Sequence, residues 1–215
     1  MAENLFEIKY DITKKSKIKQ FYEKYKIFII FIISFLIISF VSFSFYIENK
    51  ENKKIKLSDN YIKAKLYLEN GRLDDSTKLL QEIIFENDTT YSTLSFFVLI
   101  DENLISDKTE IKKLFNYLLE NINYTKEMRN LLIFKKTLFI SNFVEESELL
   151  QSINPLLNSG SEWNAHALML LGDYFLSKNQ NIKAIEFYQK IFTIKNLHND
   201  IYNQATRQLL IISNE

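Results

Sequence analysis

The sequence predicts an all-α protein, and three observations carry that expectation. Only 3 Gly and 1 Pro occur in 215 residues, too few turn formers for a sheet-rich or loop-rich fold. An uninterrupted apolar run of helical length lies near the N-terminus. Behind it, apolar residues recur at helical spacing, and one pattern returns at a fixed offset.

The apolar run comes first. Residues 27–47 read IFIIFIISFLIISFVSFSFYI with no charged side chain. A helix of that length spans about 30 Å, the thickness of a hydrocarbon core. Ser34, Ser39 and Ser42 can bond back to helix carbonyls. Tyr22, Tyr25 and Tyr46 stand near the two ends, where amphipathic rings settle at an interface. A buried core helix is the first rival, but core helices seldom run this long without a polar face. A cleavable signal peptide is the second. It would have a shorter apolar region followed by small residues, whereas Phe43, Phe45, Tyr46 and then Glu48-Asn49-Lys50 follow here. The expectation is an uncleaved transmembrane helix at 27–47, a linker at 48–56 and a helical-repeat domain at 57–215.

Residues 1–26 form a basic tail with seven lysines: Lys9, Lys14, Lys15, Lys17, Lys19, Lys24 and Lys26. Lysines are nearly as frequent just beyond the run, so charge bias alone decides orientation weakly. The short basic tail and the slightly acidic C-terminal part favour a cytoplasmic tail and an external domain. Lys14–Lys26 reads either as an amphipathic helix on anionic lipid or as a charged flank that fixes topology. The flank is the simpler reading. A nucleic-acid partner is not expected, because the patch is short, lacks Arg and adjoins the membrane.

Composition removes several chemistries. There is no Cys, so disulfides, thiolate metal sites and cysteine nucleophiles are excluded. His166 and His198 lie far apart in sequence, without metal-ligand spacing. No Gly-rich phosphate loop, HExxH or GxSxG occurs. Neither an enzyme nor a bound cofactor, metal or small-molecule substrate is expected. The abundance of Lys, Asn, Ile and Phe reads as compositional drift.

The clearest repeating unit is 165–197, AHALMLLGDYFLSKNQNIKAIEFYQKIFTIKNL. Leu168, Leu171 and Gly172 form an apolar–apolar–small set on a first helix, and Phe175 follows one turn later. Asn179 occupies the turn, where a left-handed backbone is tolerated. Ala184 lies twelve residues beyond Gly172, a spacing that predicts two small residues where the helices cross. Tyr188 and Ile191 extend the second helix's apolar face. Residues 57–90 repeat this pattern at an offset of 108 residues: Ala64 for Gly172, Tyr67 for Phe175, Gly71 for Asn179, Ser76 for Ala184, Leu80 for Tyr188 and Ile83 for Ile191. That offset is close to three units of about 34 residues, the tetratricopeptide period. Two more pairs fit between, 94–105 with 111–120 and 128–140 with 145–157. Asp107 with Glu110, and Asn142 with Glu145, are the expected caps. These middle pairs lack the small-residue signature. Ser159-Gly160-Ser161 separates the third pair from the fourth, and Trp163 is expected to anchor the last pair. Residues 201–213 form a closing helix with Tyr202, Ala205, Leu209 and Ile212 on one stripe. The expected architecture is a tetratricopeptide-like α-solenoid of about four helix pairs with a C-terminal capping helix.

The aromatic-lysine run FYEKYK, one transmembrane helix, a first unit AKLYLENGRLDDSTKLLQ and a last unit SEWNAHALMLLGDYFLSKNQNIKAIEFYQKI together resemble one family. It is the YfgM-like ancillary subunits of the SecYEG translocon, single-pass bacterial inner-membrane proteins with tetratricopeptide-like domains. The resemblance covers nearly the whole chain in architecture and is specific in the first and last units. It implies a cytoplasmic tail and a periplasmic repeat domain. It also implies association with the translocon and with a membrane-tethered periplasmic chaperone of the peptidyl-prolyl isomerase type.

First helices of such pairs line one surface of a repeat stack. Candidate contact residues there are Tyr61, Lys65, Leu68 and Glu69 in the first unit, and His166, Met169, Asp173 and Ser177 in the last. Aromatic, Met and mixed-charge groups suit recognition of a peptide or protein surface. The function expected is accessory binding in protein export. The rival is a scaffold of another envelope complex, with the transmembrane helix as its assembly element.

Overall fold

A computed structural model describes residues 17–213. Among these residues there are nine helices and no strand. They are α1 (Lys17–Glu69), α2 (Leu73–Ile84), α3 (Tyr91–Asp101), α4 (Lys108–Asn121), α5 (Lys126–Ile140), α6 (Glu146–Leu157), α7 (Trp163–Ser177), α8 (Asn181–Ile191) and α9 (Asn199–Ser213). Lys9, Lys14 and Lys15, and with them the start of the Lys14–Lys26 segment, lie outside the described residues.

α1 carries the apolar run and is long and apolar enough to cross a membrane. Among the described residues its most apolar stretch is exposed; Ile27 is 85% exposed and Phe40 72%. A core helix would be covered, so that alternative falls. The 48–56 segment is helical and not an irregular linker. It holds no Gly or Pro, and adding residues to an existing helix costs far less than starting one.

The chain divides into two compact units between Lys56 and Leu57. The second unit takes the last turns of α1 and all later helices. Within it, helices adjacent in sequence pack together: α2 on α3, α5 on α6, α7 on α8 and α8 on α9. α5 also touches α7, and α7 touches α9. Side chains link the second helices in a row. Gln81 of α2 donates to Glu110 of α4 (3.1 Å), Lys112 of α4 pairs with Glu148 of α6, and Lys183 of α8 pairs with Glu146 of α6 (2.9 Å).

The turns explain where the helices stop. Gly71, Asn103 and Asn179 have φ of 73°, 52° and 57°, and each ends the first helix of a pair. The backbone N–H of the next residue reaches back to a carbonyl five positions earlier: Arg72 to Tyr67 (2.8 Å), Leu104 to Leu99 (2.9 Å) and Gln180 to Phe175 (2.9 Å). This is the Schellman termination. Asn87 and Asn196, after α2 and α8, are left-handed too, at 58° and 59°. Every non-glycine residue of positive φ among those described is Asn. The Asn content is therefore structural at these positions and not drift alone.

Crossings differ from expectation in two pairs. The Ser76 hydroxyl donates to the Ala64 carbonyl (2.9 Å), as two small residues at a crossing allow. In the last pair the ring of Tyr188, and not Ala184, occupies the space where a Gly172 side chain would stand. The third pair does own a small crossing: buried Thr137 shares a hydrogen bond with Ser152 (2.9 Å). The second pair has none. Phe96 stands seven residues before its turn, where the other two Schellman turns have Ala64 and Gly172, and it packs edge-on to Phe115 at 4.5 Å.

Three further expectations change. Asp107 caps α4 by accepting from the Thr109 N–H (2.8 Å), while Glu110 is engaged with Gln81 and does not complete a capping box. α6 begins after Glu145 with no side-chain cap bond, so Asn142 is not its cap. On α9 the buried residues are Ile201, Ala205 and Ile212, and Tyr202 is 50% exposed. Helix rotation puts Ile201 inward, and Tyr202 lies edge-on against Phe192 at 5.0 Å.

Candidate protein-binding face

The residues of interest lie on the first helices of the pairs, which place side chains three and four positions apart on one face. In the first pair Tyr61, Lys65 and Leu68 are half-buried and Glu69 is exposed. The Tyr61 ring lies 6.0 Å from Tyr91 at the start of α3. Ala64 and Leu80 are fully buried beneath. Tyr67 is half-buried, with the Arg72 guanidinium 4.1 Å from its ring centre. Arg72 is also bound to Asp75 (2.7 Å), and that bond raises its pKa.

The last pair is different. Met169 is only 6% exposed, so it belongs to the core and not to a contact surface. α7 is covered from several sides, by α5, α6, α8 and α9, and this closes over the Met169 position. Asp173 is engaged: the Tyr188 hydroxyl donates to its Oδ1 (2.7 Å). Burial raises the Asp173 pKa, and the Tyr188 bond partly offsets that. The Tyr188 hydroxyl is pushed well above its ordinary value by burial, then by Asp173. The Ser177 hydroxyl donates to the Tyr174 carbonyl (2.7 Å), finishing α7. Phe175, Ala184 and Tyr188 are core.

His166 remains accessible and has company. Its ring lies 5.9 Å from Phe134 and 5.6 Å from Trp163, and Phe134 lies 5.7 Å from Trp163. The three rings join α5 to α7. Trp163 is half-buried, and its Nε1–H donates to Glu127 Oε2 (2.9 Å). Burial lowers the His166 pKa, Glu162 opposes that and His198 adds to it. Next to Phe134 on α5, Lys135 stands 6.0 Å from the Phe97 ring centre of α3. Leu138 is 45% exposed and Met128 37%.

Sequence reasoning therefore missed the middle of this face. Phe97, Phe134 and Leu138 went unselected because the middle pairs lack the small residues that set the register elsewhere. A signal was present. α5 carries apolar residues at Met128, Leu131, Phe134 and Leu138 besides its buried set at Leu132, Ile133 and Ile140. A helix with two apolar stripes has one left for something besides its own core. Tyr61 meets α3 and His166 meets α5, so the two predicted sets are not brought together; α3 and α5 intervene in the helix order.

Rings with exposed edges, a paired carboxylate and flanking lysines can hold apolar and polar side chains of another protein. Among the described residues no group of three His, Asp or Glu side chains is placed to hold a metal ion. No protein-family model, curated protein or solved structure matches the chain.

Proposed function

We propose that this chain is a membrane-anchored protein-interaction module whose second unit is a tetratricopeptide-like solenoid capped by α9. The observation that carries this reading is the Phe134–Trp163–His166 cluster, a part-exposed aromatic surface set across two helices of a hairpin array. α1 supplies the anchor. Its uncovered apolar length suits lipid, and so large an apolar sleeve suits water poorly. Side-chain links along the second helices α2, α4, α6 and α8, and the packing of α7 on both α5 and α9, support the solenoid.

Within this reading the chain is an accessory subunit of the Sec protein-export machinery, linking the translocon to a periplasmic chaperone. That assignment rests on the resemblance of the FYEKYK run and of the first and last units. The tail then lies in the cytoplasm and the repeat unit in the periplasm of a bacterial inner membrane.

A photoreactive residue at Tyr61 or His166, in native membranes, tests the face. A discrete crosslink to Sec components or to a membrane-tethered chaperone is the expected result. Copurification in mild detergent with a different stable complex would favour the scaffold reading. No crosslink from either position would remove the interaction reading. Digestion of the repeat unit by protease outside intact spheroplasts is expected, and protection there would reverse the orientation.

A further inference from the structure

We infer that the trough between α8 and α9 receives one amphipathic helix from a partner protein, completing a fifth pair in trans. The inference rests on the binding-module reading and names the kind of partner.

α9 packs on both α7 and α8, just as α7 packs on both α5 and α6. It therefore occupies the place of a first helix, and no second helix follows it among the described residues. In the earlier pairs that place is filled. α4 sits beside α2 and α3, burying Ile111, Leu114, Phe115 and Leu118. Phe115 meets Phe96 of α3, and Tyr117 lies edge-on to Phe85, just after α2, at 4.9 Å. The corresponding place after α8 is an open trough of about 480 Å³, lined by Gln189, Phe192, Tyr202, Thr206, Leu209 and Leu210 among others. Leu210 is 57% exposed, Tyr202 50% and Phe192 36%. Tyr202, Thr206, Leu209 and Leu210 repeat at helical spacing, a second apolar stripe on α9 beside the one that faces the core.

The internal repeat says what chemistry the occupant has. Gln189 lies 108 residues after Gln81, the offset that relates the first pair to the last. Gln81 donates its Nε2–H to a carboxylate near the start of α4. Gln189 stands on the trough wall with the same group to offer. The fitting partner is thus a helix of three to four turns with an apolar stripe and an acidic side chain in its first turn. α4 itself, KTEIKKLFNYLLEN, has that form.

A peptide of the Lys108–Asn121 sequence is the probe. It is stapled through the solvent-facing positions 113 and 120, because a free helix this short is marginal in water. Full-length protein in lipid nanodiscs is titrated with the labelled peptide. Saturable binding is expected, weakened about tenfold or more by Leu210→Glu and by Thr206→Arg. Replacing the peptide's glutamate at position 110 by Ala is expected to weaken binding a few-fold to the parent and hardly at all to Gln189→Ala. Absence of saturable binding, or equal binding by Leu210→Glu protein of unchanged helicity, overturns the inference. So does a concentration-dependent dimer that Leu210→Glu abolishes, since a second copy then fills the trough. Crosslinking at Tyr61 and His166 is read separately, so failure here and failure of the wider reading are distinguishable.

Discussion

The first and last hairpins of the second unit share a sequence pattern at a fixed offset, yet they occupy different surroundings. In burial they agree at the small residues and along the second helix. Ala64, Ser76 and Leu80 are 0% exposed, as are Ala184 and Tyr188. One turn further they part: Phe175 is 1% exposed while Tyr67 is half-buried, stacked against Arg72. The same position in the repeat thus carries different weight, because α7 has first and second helices of other pairs around it. Period fixes which face of a helix turns inward. The number of neighbours fixes how much that face matters.

Truncating the paired aromatics tests this contrast most strongly. Phe175→Ala is expected to cost about 3–5 kcal/mol, the range for emptying an aromatic site in a core. Tyr67→Ala is expected to cost about 1 kcal/mol, since its ring still meets water. Denaturant unfolding followed by Trp163, the single tryptophan, reads both. Equal losses would break the comparison.

The glycine of the last crossing comes next. A side chain at Gly172 would collide with the Tyr188 ring, which is fully buried and tied to Asp173. Gly172→Ala should destabilise by about 1–3 kcal/mol despite the better helix propensity of Ala. A gain in stability would mean that the ring moves freely.

Asp173 gives a pH-dependent test. Burial holds its native pKa above the unfolded value, so the native state binds the proton more readily than the unfolded state does. The stability tied to that proton is complete below the unfolded pKa and is lost as pH rises through the native one. Asp173→Asn keeps an acceptor for the Tyr188 hydroxyl and has no charge to bury. Relative to the parent, its melting temperature should improve as pH rises above about 4, the ordinary carboxylate value. A constant difference across that rise would show that the carboxyl is well solvated.

The smallest effect concerns Ser95 on α3. It is 0% exposed and its hydroxyl has no hydrogen-bond partner among the described residues. Ser95→Ala should be neutral or stabilising by up to about 1 kcal/mol, whereas Ser76→Ala, which loses a bond to Ala64, should cost about as much. Chemical denaturation of the two variants side by side sharpens the contrast between an idle and an engaged buried serine.

Much of the fold was legible because its signals are local. Gly71 and Asn179 mark turns by backbone conformation alone, and the paucity of Gly and Pro carries over to α1, which runs unbroken through 48–56. The candidate face was legible only at its ends. Tyr61 and His166 are accessible, but Met169 shares their helical spacing and is buried, since spacing does not say which of two faces a neighbour covers. Thr137 and Ser152 escaped notice because two hydroxyls of unremarkable spacing gain meaning only when they meet.

What the sequence determined by itself is the all-helical class, the length of the apolar span and the turns after the first and last leading helices. These depend on hydrophobicity and dihedral preference within a few residues. Tertiary structure alone decided the burial of Met169, the Phe134–Trp163–His166 cluster and the open trough beside α9. Burial is a property of neighbours, and here the neighbours lie tens of residues away along the chain.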